Sequence, residues 1–373
     1  MLGLPASAGQ LGSRPSGGLI LSGDIMKPFA DLSYLGRIRR MRQMAQVALN
    51  AYGLTDARFK FLRQAGNTLF RVNEASPASS PRAELYTPGQ YMLRIHQPGY
   101  QTTEAIVLEL AWLAAMCREG NLPVPEPVST LDGRLLTQVS IPGIPGERNC
   151  SLLRWVKGRE LKQDEVQPLH YRAQGQLMAR LHNHAAHWQP PPGLTKRTYD
   201  WEGLFREDAG TGIPASEAWA LLPPAYVKPF EVVTNKVKLV MDAWGQGSDV
   251  YGLIHADLGL DANVLFWDGE ARAIDFDDSG FGYYVYDLSL ALEHCQEDER
   301  LPQFRDALLD GYGRVRSLSE DQVGYLELFL SAFCVFLSLW AVAEGHLFPQ
   351  HREALSGRME RAFRLVEHYL STC

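Results

Sequence analysis

Apolar side chains recur every three to four residues in several long segments of the chain, which is the spacing of one face of an α-helix. The first segment runs from Tyr34 to Tyr52, and a second follows Thr102 or Thr103, either of which can cap the start of a helix. Helical character also dominates in residues 172–188, in residues 232–244 and near the end of the chain. The pattern predicts that the later part of the chain is mainly helical.

Short segments rich in β-branched and aromatic residues predict strands in the earlier part of the chain. A β-rich first part joined near Trp155 to a helical second part predicts an α+β chain with two lobes. We place the first lobe at residues 26–155 and the second lobe at residues 156–373. The predicted strands of the first lobe are Phe59–Leu62, Leu69–Val72, Tyr91–His96, residues 135–139 and residues 151–156.

Residues 1–25 lie outside both predicted lobes. They are rich in Gly, Ser and Pro, and no basic segment precedes an apolar core, so they do not resemble a secretory signal. A segment of this composition cannot bury enough apolar surface to fold, so we expect a disordered N-terminal extension.

The longest apolar run extends from Leu328 to Ala343 and is bracketed by Glu327 and Glu344. It is shorter than the roughly 18 to 20 residues that a bilayer crossing needs. We therefore expect a buried core helix and no membrane partner.

The overall composition narrows the class of protein further. The 36 basic and 43 acidic side chains give a net charge of -7, which argues against a protein that binds nucleic acid. The five cysteines are far apart and form no CxxC pair, so neither a disulfide framework nor a zinc knuckle is indicated. A cytoplasmic location fits this cysteine usage, and the sequence leaves the oligomeric state open.

The segment from residue 253 to residue 288 alternates between strand-like and polar stretches. We expect residues 264–266 to pair with residues 273–275 across a tight turn at Asp268-Gly269. Such a hairpin places the loop before it and the loop after it at the same end. Polar residues of the two loops should therefore face one another.

Four polar residues of these two loops form the candidate chemical site. Asp257 and Asn263 precede the hairpin, and Asp275 and Asp277 follow it. Phosphoryl transfer needs a carboxylate beside the attacking hydroxyl, oxygen ligands for Mg²⁺ and positive charge against the phosphates. The cluster supplies the first two of these requirements.

The same residues carry a resemblance to a known family. His255-x-Asp257, then Asn263, then Ile274-Asp275-Phe276 resembles the catalytic and metal-binding loops of the aminoglycoside phosphotransferase and choline kinase-like phosphotransferase family, and Tyr286-Asp287-Leu288 is similar to its later Asp-Leu. The resemblance implies a two-lobed protein-kinase-like fold, ATP or GTP as donor, Mg²⁺, and a small-molecule hydroxyl as acceptor. An amino alcohol, an amino acid, a sugar and an aminoglycoside-like compound all remain open.

The resemblance also implies roles for individual residues. Asp257 would be the catalytic base or would orient the hydroxyl, while Asn263 and Asp275 would bind Mg²⁺. His255 is assigned to the catalytic loop, where we interpret it as an orienting residue, and we interpret Asp287 as a structural acceptor that holds that loop. Weaker matches over residues 55–345 imply a loop over the nucleotide phosphates at Gly66, Asn67 and Thr68, a phosphate-binding cation and its helix partner at Arg94 and Glu109, and an adenine-binding hinge at Trp155 and Val156.

Two features differ from the family's pattern. Asn263 follows Asp257 by six residues where the family has five, and we expect the loop to bulge by one residue while Asn263 keeps its position. Arg94 stands where a lysine is common. An arginine can still pair with Glu109 and with phosphate, but it is not a neutral replacement.

Other functions are weighed against the kinase interpretation. A catalytically silent nucleotide-binding module is the main alternative, and an acyl- or nucleotidyl-transferring enzyme on the same fold is a third. The sequence has no GxxxxGK[ST], GxGxxG, HExxH or GxSxG motif. A protein kinase is disfavoured because no arginine separates His255 from Asp257 and no APE-like segment follows Asp275.

The sequence says least about the acceptor. Trp201, Tyr283, Tyr284 and residues 297–299 could surround an acceptor, although aromatic residues are more often part of the core. A zinc site at His182, His184 and His187 is disfavoured, because offsets of two and five residues do not share one face of a helix.

Overall fold

The computed structural model describes residues 27–75, 82–206 and 212–372. The extension predicted to be disordered, residues 1–25, lies outside these ranges. So does part of the Pro- and Ser-rich connection before residue 91.

A five-stranded antiparallel sheet, with the strand order β1-β2-β3-β5-β4, forms the centre of the first lobe. Helix α1 (Tyr34–Ala51) begins after Ser33, whose hydroxyl accepts a hydrogen bond from the Gly36 amide, and its buried side chains pack on the sheet. Helix α2 (Thr103–Glu119) begins after Thr102 and packs instead into the core of the second lobe. The strands are β1 (Arg58–Ala65), β2 (Asn67–Asn73), β3 (Tyr86–Ile95), β4 (Leu136–Val139) and β5 (Arg148–Val156).

Strand β3 begins earlier than the sequence pattern predicts. The sequence pattern predicts a strand at Tyr91–His96, but in the structure the strand extends back to Tyr86, opposite Val156 of β5. The register shifts between Tyr86 and Tyr91, where Gly89 has a φ of 65°. Pro88 and Gly89, which are residue types common in loops, therefore belong to an irregular stretch within the strand.

The second lobe is mainly helical, so the predicted α+β organisation is confirmed. A small sheet with the order β6-β10-β7 and the hairpin β8–β9 lie among its helices. Its strands are β6 (Thr198–Tyr199), β7 (Tyr251–Ile254), β8 (Val264–Trp267), β9 (Glu270–Ala273) and β10 (Gly280–Tyr283). Its helices are α3 (Pro168–His187), α4 (Trp201–Phe205), α5 (Ala215–Leu221), α6 (Pro224–Trp244), α7 (Tyr284–Leu290), α8 (Leu301–Gly313), α9 (Glu320–Gly324), α10 (Leu326–Leu347) and α11 (Arg352–Thr372).

The hairpin β8–β9 forms as the sequence predicts. Val264 pairs with Ala273, and the chain turns at Asp268 and Gly269, which have φ angles of 50° and 77°. Two successive positive φ angles are typical of the turn that Asp-Gly favours. The loops that precede and follow the hairpin therefore lie at one end.

Helix α10 contains the longest apolar run of the sequence. By length and composition alone its 22 residues could cross a membrane, but 67% of its most apolar window is buried inside the protein. Phe329, Cys334 and Ser338 are fully buried. The expectation of a core helix is confirmed.

Helices α3 and α8 cross in direct backbone contact. A Cβ atom at Gly175 would overlap the Leu308 carbonyl, and a Cβ atom at Gly311 would overlap the Arg172 carbonyl. Glycine at both positions is what permits the approach. The crossing matters for the site because α3 also carries Gln174, whose amide donates to the Leu258 carbonyl at 2.6 Å.

We predict that Gly311→Ala lowers the free energy of unfolding by about 3 kcal/mol, because the added methyl group forces α3 and α8 apart. Gly313→Ala in the same helix is the matched control, since a Cβ atom there meets no heavy atom within 4 Å. The control should change stability by no more than about 1 kcal/mol. Denaturant unfolding followed by circular dichroism measures both variants. Equal losses would contradict this account of the helix crossing.

Candidate active site

The buried carboxylate of Asp287 fixes the loop after β7 through hydrogen bonds to the loop backbone. Its oxygens accept hydrogen bonds from the backbone amides of Ala256 at 2.7 Å and His255 at 3.3 Å, and His182 Nε2 lies 3.0 Å away. Burial opposes ionisation, yet the hydrogen bond with His182 and the neighbouring groups hold the pKa of Asp287 below its usual value. Ala256 has a φ of 64°, a conformation that these bonds stabilise. The predicted structural role of Asp287 is confirmed.

His255 anchors the same loop to the end of the hairpin. Its ring is fully buried, Nε2 lies 2.9 Å from the Ile274 carbonyl, and burial lowers the pKa of the imidazole. The ring also packs against Phe276. This geometry supports the interpretation of His255 as an orienting residue.

Asp257 projects from this loop into a cavity of about 400 Å³ in the second lobe. The residue is exposed to that cavity, but surrounding protein atoms still displace much of the water near its carboxylate. This burial, together with the negative charges of Asp278 and Asp275, raises the pKa of Asp257 to about 7. Asp257 therefore exchanges a proton near neutral pH.

Asn263 keeps its place although the loop is one residue longer than the family pattern. Its backbone carbonyl accepts from the Ile274 amide at 3.0 Å, which ties it to the hairpin, and its Nδ2 donates to Asp257 Oδ2 at 2.7 Å. Asp261 turns away, with its carboxylate 3.2 Å from His294 Nε2. The expected bulge is thus compatible with an Asn263 side chain directed at the site.

Arg94 joins the two lobes through a forked contact. From β3, its Nη1 donates to Glu109 of α2 at 2.8 Å and its Nη2 donates to Asp275 at 2.9 Å. The side chain is 1% exposed. Burial alone would lower the pKa of this guanidinium, but Glu109, Asp277 and Asp275 together raise it, so the group is charged. Arg63, which is mostly exposed, also pairs with Asp275 at 2.7 Å.

The acidic loop after β9 contacts the first lobe at further points. Asn67 Nδ2 donates to Asp277 at 2.8 Å, and the Tyr100 hydroxyl donates to Asp278 at 2.6 Å. Lys196 lies beneath the loop and donates to the Asp277 carbonyl at 2.9 Å and to Ser279 Oγ at 2.8 Å. Burial lowers the pKa of this lysine. The loop is therefore fixed from both lobes.

The predicted phosphate loop is a tight turn between β1 and β2. Gly66 has a φ of 72° and is the single residue between the two strands. Asn67 and Thr68 are buried, and Asn67 is engaged with Asp277 and with the Gln97 amide. The structure thus places this turn above the acidic loop, with its side chains in structural contacts.

A second, mainly apolar cleft of about 240 Å³ lies between the sheet of the first lobe and the hairpin. Trp155 and Val156 line it, as do Asn263 and Asp275. The other lining residues are Leu62, Arg63, Leu69, Met92, Pro125, Leu153, Arg154, Glu160, Ala262, Leu265 and Ile274. The Asp257–Asn263 loop therefore separates an apolar cleft from the larger cavity.

The residues suggested for the acceptor site lie elsewhere. Tyr283 and Tyr284 are core residues, with 2% and 1% exposure, and the Trp201 indole donates to the Thr234 carbonyl at 3.1 Å. Glu297 and Asp298 line a neighbouring cavity. The rings of the two tyrosines pack against aromatic side chains from segments that are distant in sequence, and a local sequence pattern does not reveal such contacts.

Several residues that surround the site were missed by the sequence analysis. Arg63, Tyr100, Lys196 and Arg197 all lie at the acidic loop or the larger cavity. Each occurs in a segment without periodic pattern or recognisable motif. In such a segment the sequence does not distinguish a buried lysine or arginine from an exposed one.

Known proteins resemble this chain in both sequence and structure. A family model described as "Phosphotransferase enzyme family" matches residues 72–323. A homoserine kinase of Neisseria meningitidis serogroup B is 27% identical over 285 residues, covering 74% of this chain and 84% of that protein.

Solved structures give a similar result. A microcompartment-associated aminopropanol kinase superposes with a TM-score of 0.73 and 27% identity, covering 89% of this chain and 98% of its own. An amicoumacin kinase in complex with AMP-PNP, Ca²⁺ and Ami superposes with a TM-score of 0.67 and 19% identity, covering 89% and 96%. These likenesses confirm the predicted two-lobed, protein-kinase-like fold.

Proposed function

Because the chain belongs to the phosphotransferase enzyme family, as the match over residues 72–323 shows, we propose that it transfers the γ-phosphate of ATP or GTP to a hydroxyl group of a small molecule. One observation carries this proposal. The carboxylate of Asp257 opens into a 400 Å³ cavity, while Asn263 and Asp275 line an apolar cleft on the other side of the same loop. An acceptor and a nucleotide could thus approach one another at this loop.

Asp257 is assigned to the acceptor hydroxyl. The hydroxyl oxygen forms a bond to the γ-phosphorus, the bond from that phosphorus to the bridging oxygen breaks, and the nucleoside diphosphate leaves. The hydroxyl proton passes to the Asp257 carboxylate. A pKa of about 7 suits a group that accepts a proton near neutral pH, and the hydrogen bond from Asn263 orients it.

Asn263 and Asp275 are assigned to the metal. Both residues line the cleft and carry side-chain oxygen atoms, and oxygen ligands are those that Mg²⁺ takes, usually with one or two carboxylates and the substrate phosphates. Within the described part of the chain, no group of three or more His, Cys, Asp and Glu side chains could hold a metal ion. A site completed by nucleotide phosphates fits this donor set. The ion would neutralise phosphate charge as the transfer proceeds.

The nucleotide is assigned to the apolar cleft. Trp155 and Val156 lie at its wall, in the position of the adenine-binding hinge implied by the family resemblance. Arg94, paired with Glu109, supplies buried positive charge next to Asp275, and the Gly66 turn would cover the phosphates. The amicoumacin kinase of the same fold was solved with a nucleotide analogue and a divalent cation, which agrees with this assignment.

One observation favours a catalytically silent nucleotide-binding module as a second candidate. Both Arg63 and Arg94 donate to Asp275, one to each carboxylate oxygen. These bonds compete with metal coordination. In an active enzyme the mostly exposed Arg63 must release its oxygen, whereas Arg94 can stay paired with Glu109.

The proposal is tested first with Asp257→Asn. We expect turnover with any accepted hydroxyl compound to fall by about 10²- to 10⁴-fold, because the proton acceptor is lost. The affinity for Mg²⁺-ADP should stay within a few-fold, since Asp257 lies outside the apolar cleft. A coupled assay of ADP release and calorimetry measure the two quantities. Near wild-type turnover in the purified variant would remove Asp257 from its role.

The pKa of Asp257 predicts how the rate depends on pH. Only the ionised carboxylate accepts a proton, so kcat/KM should be constant above a pH of about 7 and fall below it. Asp278→Asn removes a charge that raises this pKa. The acidic limb of the profile, which is the fall of kcat/KM at low pH, should therefore move to lower pH. Asp242→Asn, at an exposed ion pair on α6, is the control and should leave the limb in place. A limb that Asp278→Asn does not move would refute the assignment.

The register of the longer loop is tested by two neighbouring substitutions. We expect Asn263→Ala to raise the Mg²⁺ concentration needed for half-maximal rate and to lower the rate, because it removes a ligand. Asp261→Ala should have little effect, since Asp261 is turned towards His294. The opposite pattern would show that the loop register is wrong. Indifference to both, with no turnover on any acceptor, would favour the silent module.

A further inference from the structure

We propose that the acceptor is a hydroxy amino acid and that Arg197 and Tyr286 bind its carboxylate. The inference rests on the proposed function and names the class of acceptor that the 400 Å³ cavity takes. The similar proteins include a homoserine kinase and an aminopropanol kinase, so the two kinds of acceptor to distinguish are an amino acid and an amino alcohol. An amino acid and an amino alcohol of this kind differ chiefly by one carboxylate.

Arg197 is a cation in the cavity wall that forms no ion pair with a described carboxylate, and Asp278 acts on its charge only from a longer distance. Its guanidinium lies 4.6 Å from the ring centre of Tyr199 and 5.6 Å from that of Phe336, which hold it in place. Its Nη2 is buried without a hydrogen-bond partner among the described residues. No carboxylate of the described residues lies within the 4.0 Å of an ion pair. An unpaired buried donor is costly, and an anionic ligand would satisfy it.

Tyr286 presents a second donor of the same kind to the same cavity. The residue is fully buried, and its hydroxyl has no hydrogen-bond partner among the described residues. Its ring stacks on that of Tyr199 at 5.5 Å, so Tyr286 and Arg197 contact one common ring. Burial raises the pKa of this phenol well above its usual value, so the group keeps its proton and can donate it. A planar guanidinium and a hydroxyl are suited to the two oxygens of a carboxylate.

The other cations of the cavity are less suited to this task. Arg361 already donates to the Glu293 carbonyl at 2.6 Å and lies 3.7 Å from its carboxylate. Arg358 is exposed, so water solvates its charge and a contact with a ligand is worth little. Arg197 is the cation whose burial makes its pairing with a ligand valuable.

The cavity also contains groups for the other two parts of an amino acid. Asp257 faces the hydroxyl under the proposed function. Asp278 lines the same cavity and supplies negative charge for an ammonium group. One cavity thus contains a positive side chain (Arg197), a negative side chain (Asp278) and the proposed proton acceptor (Asp257). A zwitterionic acceptor with a hydroxyl group requires all three.

The test uses two pairs of compounds in which each amino alcohol is the amino acid without its carboxylate. They are L-homoserine with 3-aminopropan-1-ol, and L-threonine with 1-aminopropan-2-ol. Their binding to the full chain saturated with Mg²⁺-ADP is measured by calorimetry, which does not depend on turnover. We expect one of the amino acids to bind about 100-fold more tightly than its partner amine, the discrimination that a charged hydrogen bond provides.

Variants separate recognition from general damage. Arg197→Gln should weaken that amino acid about 100-fold and its amine by less than about threefold, while Arg197→Lys restores part of the loss. Tyr286→Phe should cost about tenfold for the amino acid alone. Arg314→Gln, which removes an exposed ion pair with Asp310 of α8, is the matched control and should change the binding of neither compound.

Three outcomes would overturn the inference. They are binding of neither amino acid more tightly than its partner amine, equal weakening of the preferred amino acid and its amine by Arg197→Gln, and no binding of any of the four compounds to a protein that binds Mg²⁺-ADP. The last outcome rejects the acceptor class and leaves the proposed nucleotide site intact. A wild-type chain that does not bind Mg²⁺-ADP would instead reject the proposed function, and the acceptor assignment with it.

Discussion

The ion pairs of Arg94 are the interaction on which the arrangement of the two lobes depends. A charged guanidinium that is 1% exposed can be tolerated only if its partners are present, and removal of one partner of a buried pair costs about 3–5 kcal/mol. The partners are Glu109 on α2 and Asp275 after β9, with Lys196 a further 3.6 Å from Glu109. Strand, helix and acidic loop must therefore meet at one point. The same contacts place Asp275 at the mouth of the apolar cleft.

A second set of buried contacts shapes the loop that divides the cleft from the cavity. Asp287 holds the backbone at His255 and Ala256, and its partner His182 lies on α3, the helix that crosses α8 through paired glycines. The packing of the second lobe thus positions the loop through this carboxylate and through Gln174 of α3, whose amide donates to the Leu258 carbonyl. Asp257 is left as the exposed member, with a raised pKa and access to the cavity. One part of the loop is therefore fixed by buried hydrogen bonds, while Asp257 remains accessible from the cavity.

Much of this arrangement could be predicted from local sequence. The Asp268-Gly269 turn and the loops on either side of the hairpin follow from turn chemistry, and the core helix follows from the apolar run at residues 328–343. The start of β3 could not be predicted, because the sequence Pro88-Gly89 at the irregular part of the strand is typical of a loop. Lys196, Arg197 and the burial of Tyr283 depend on contacts between distant segments. A pattern read along one segment contains no information about such contacts.

The assignment of Asp275 as a metal-binding carboxylate is the central claim, and one measurement tests it most directly. ATP is titrated calorimetrically into the wild type and into Asp275→Asn, each in the presence of Mg²⁺ and again in the presence of a chelator. The account predicts that Mg²⁺ strengthens ATP binding to the wild type and has little effect on the variant, while the two proteins keep the same circular dichroism spectrum and melting temperature. The same Mg²⁺ dependence in both proteins would contradict it.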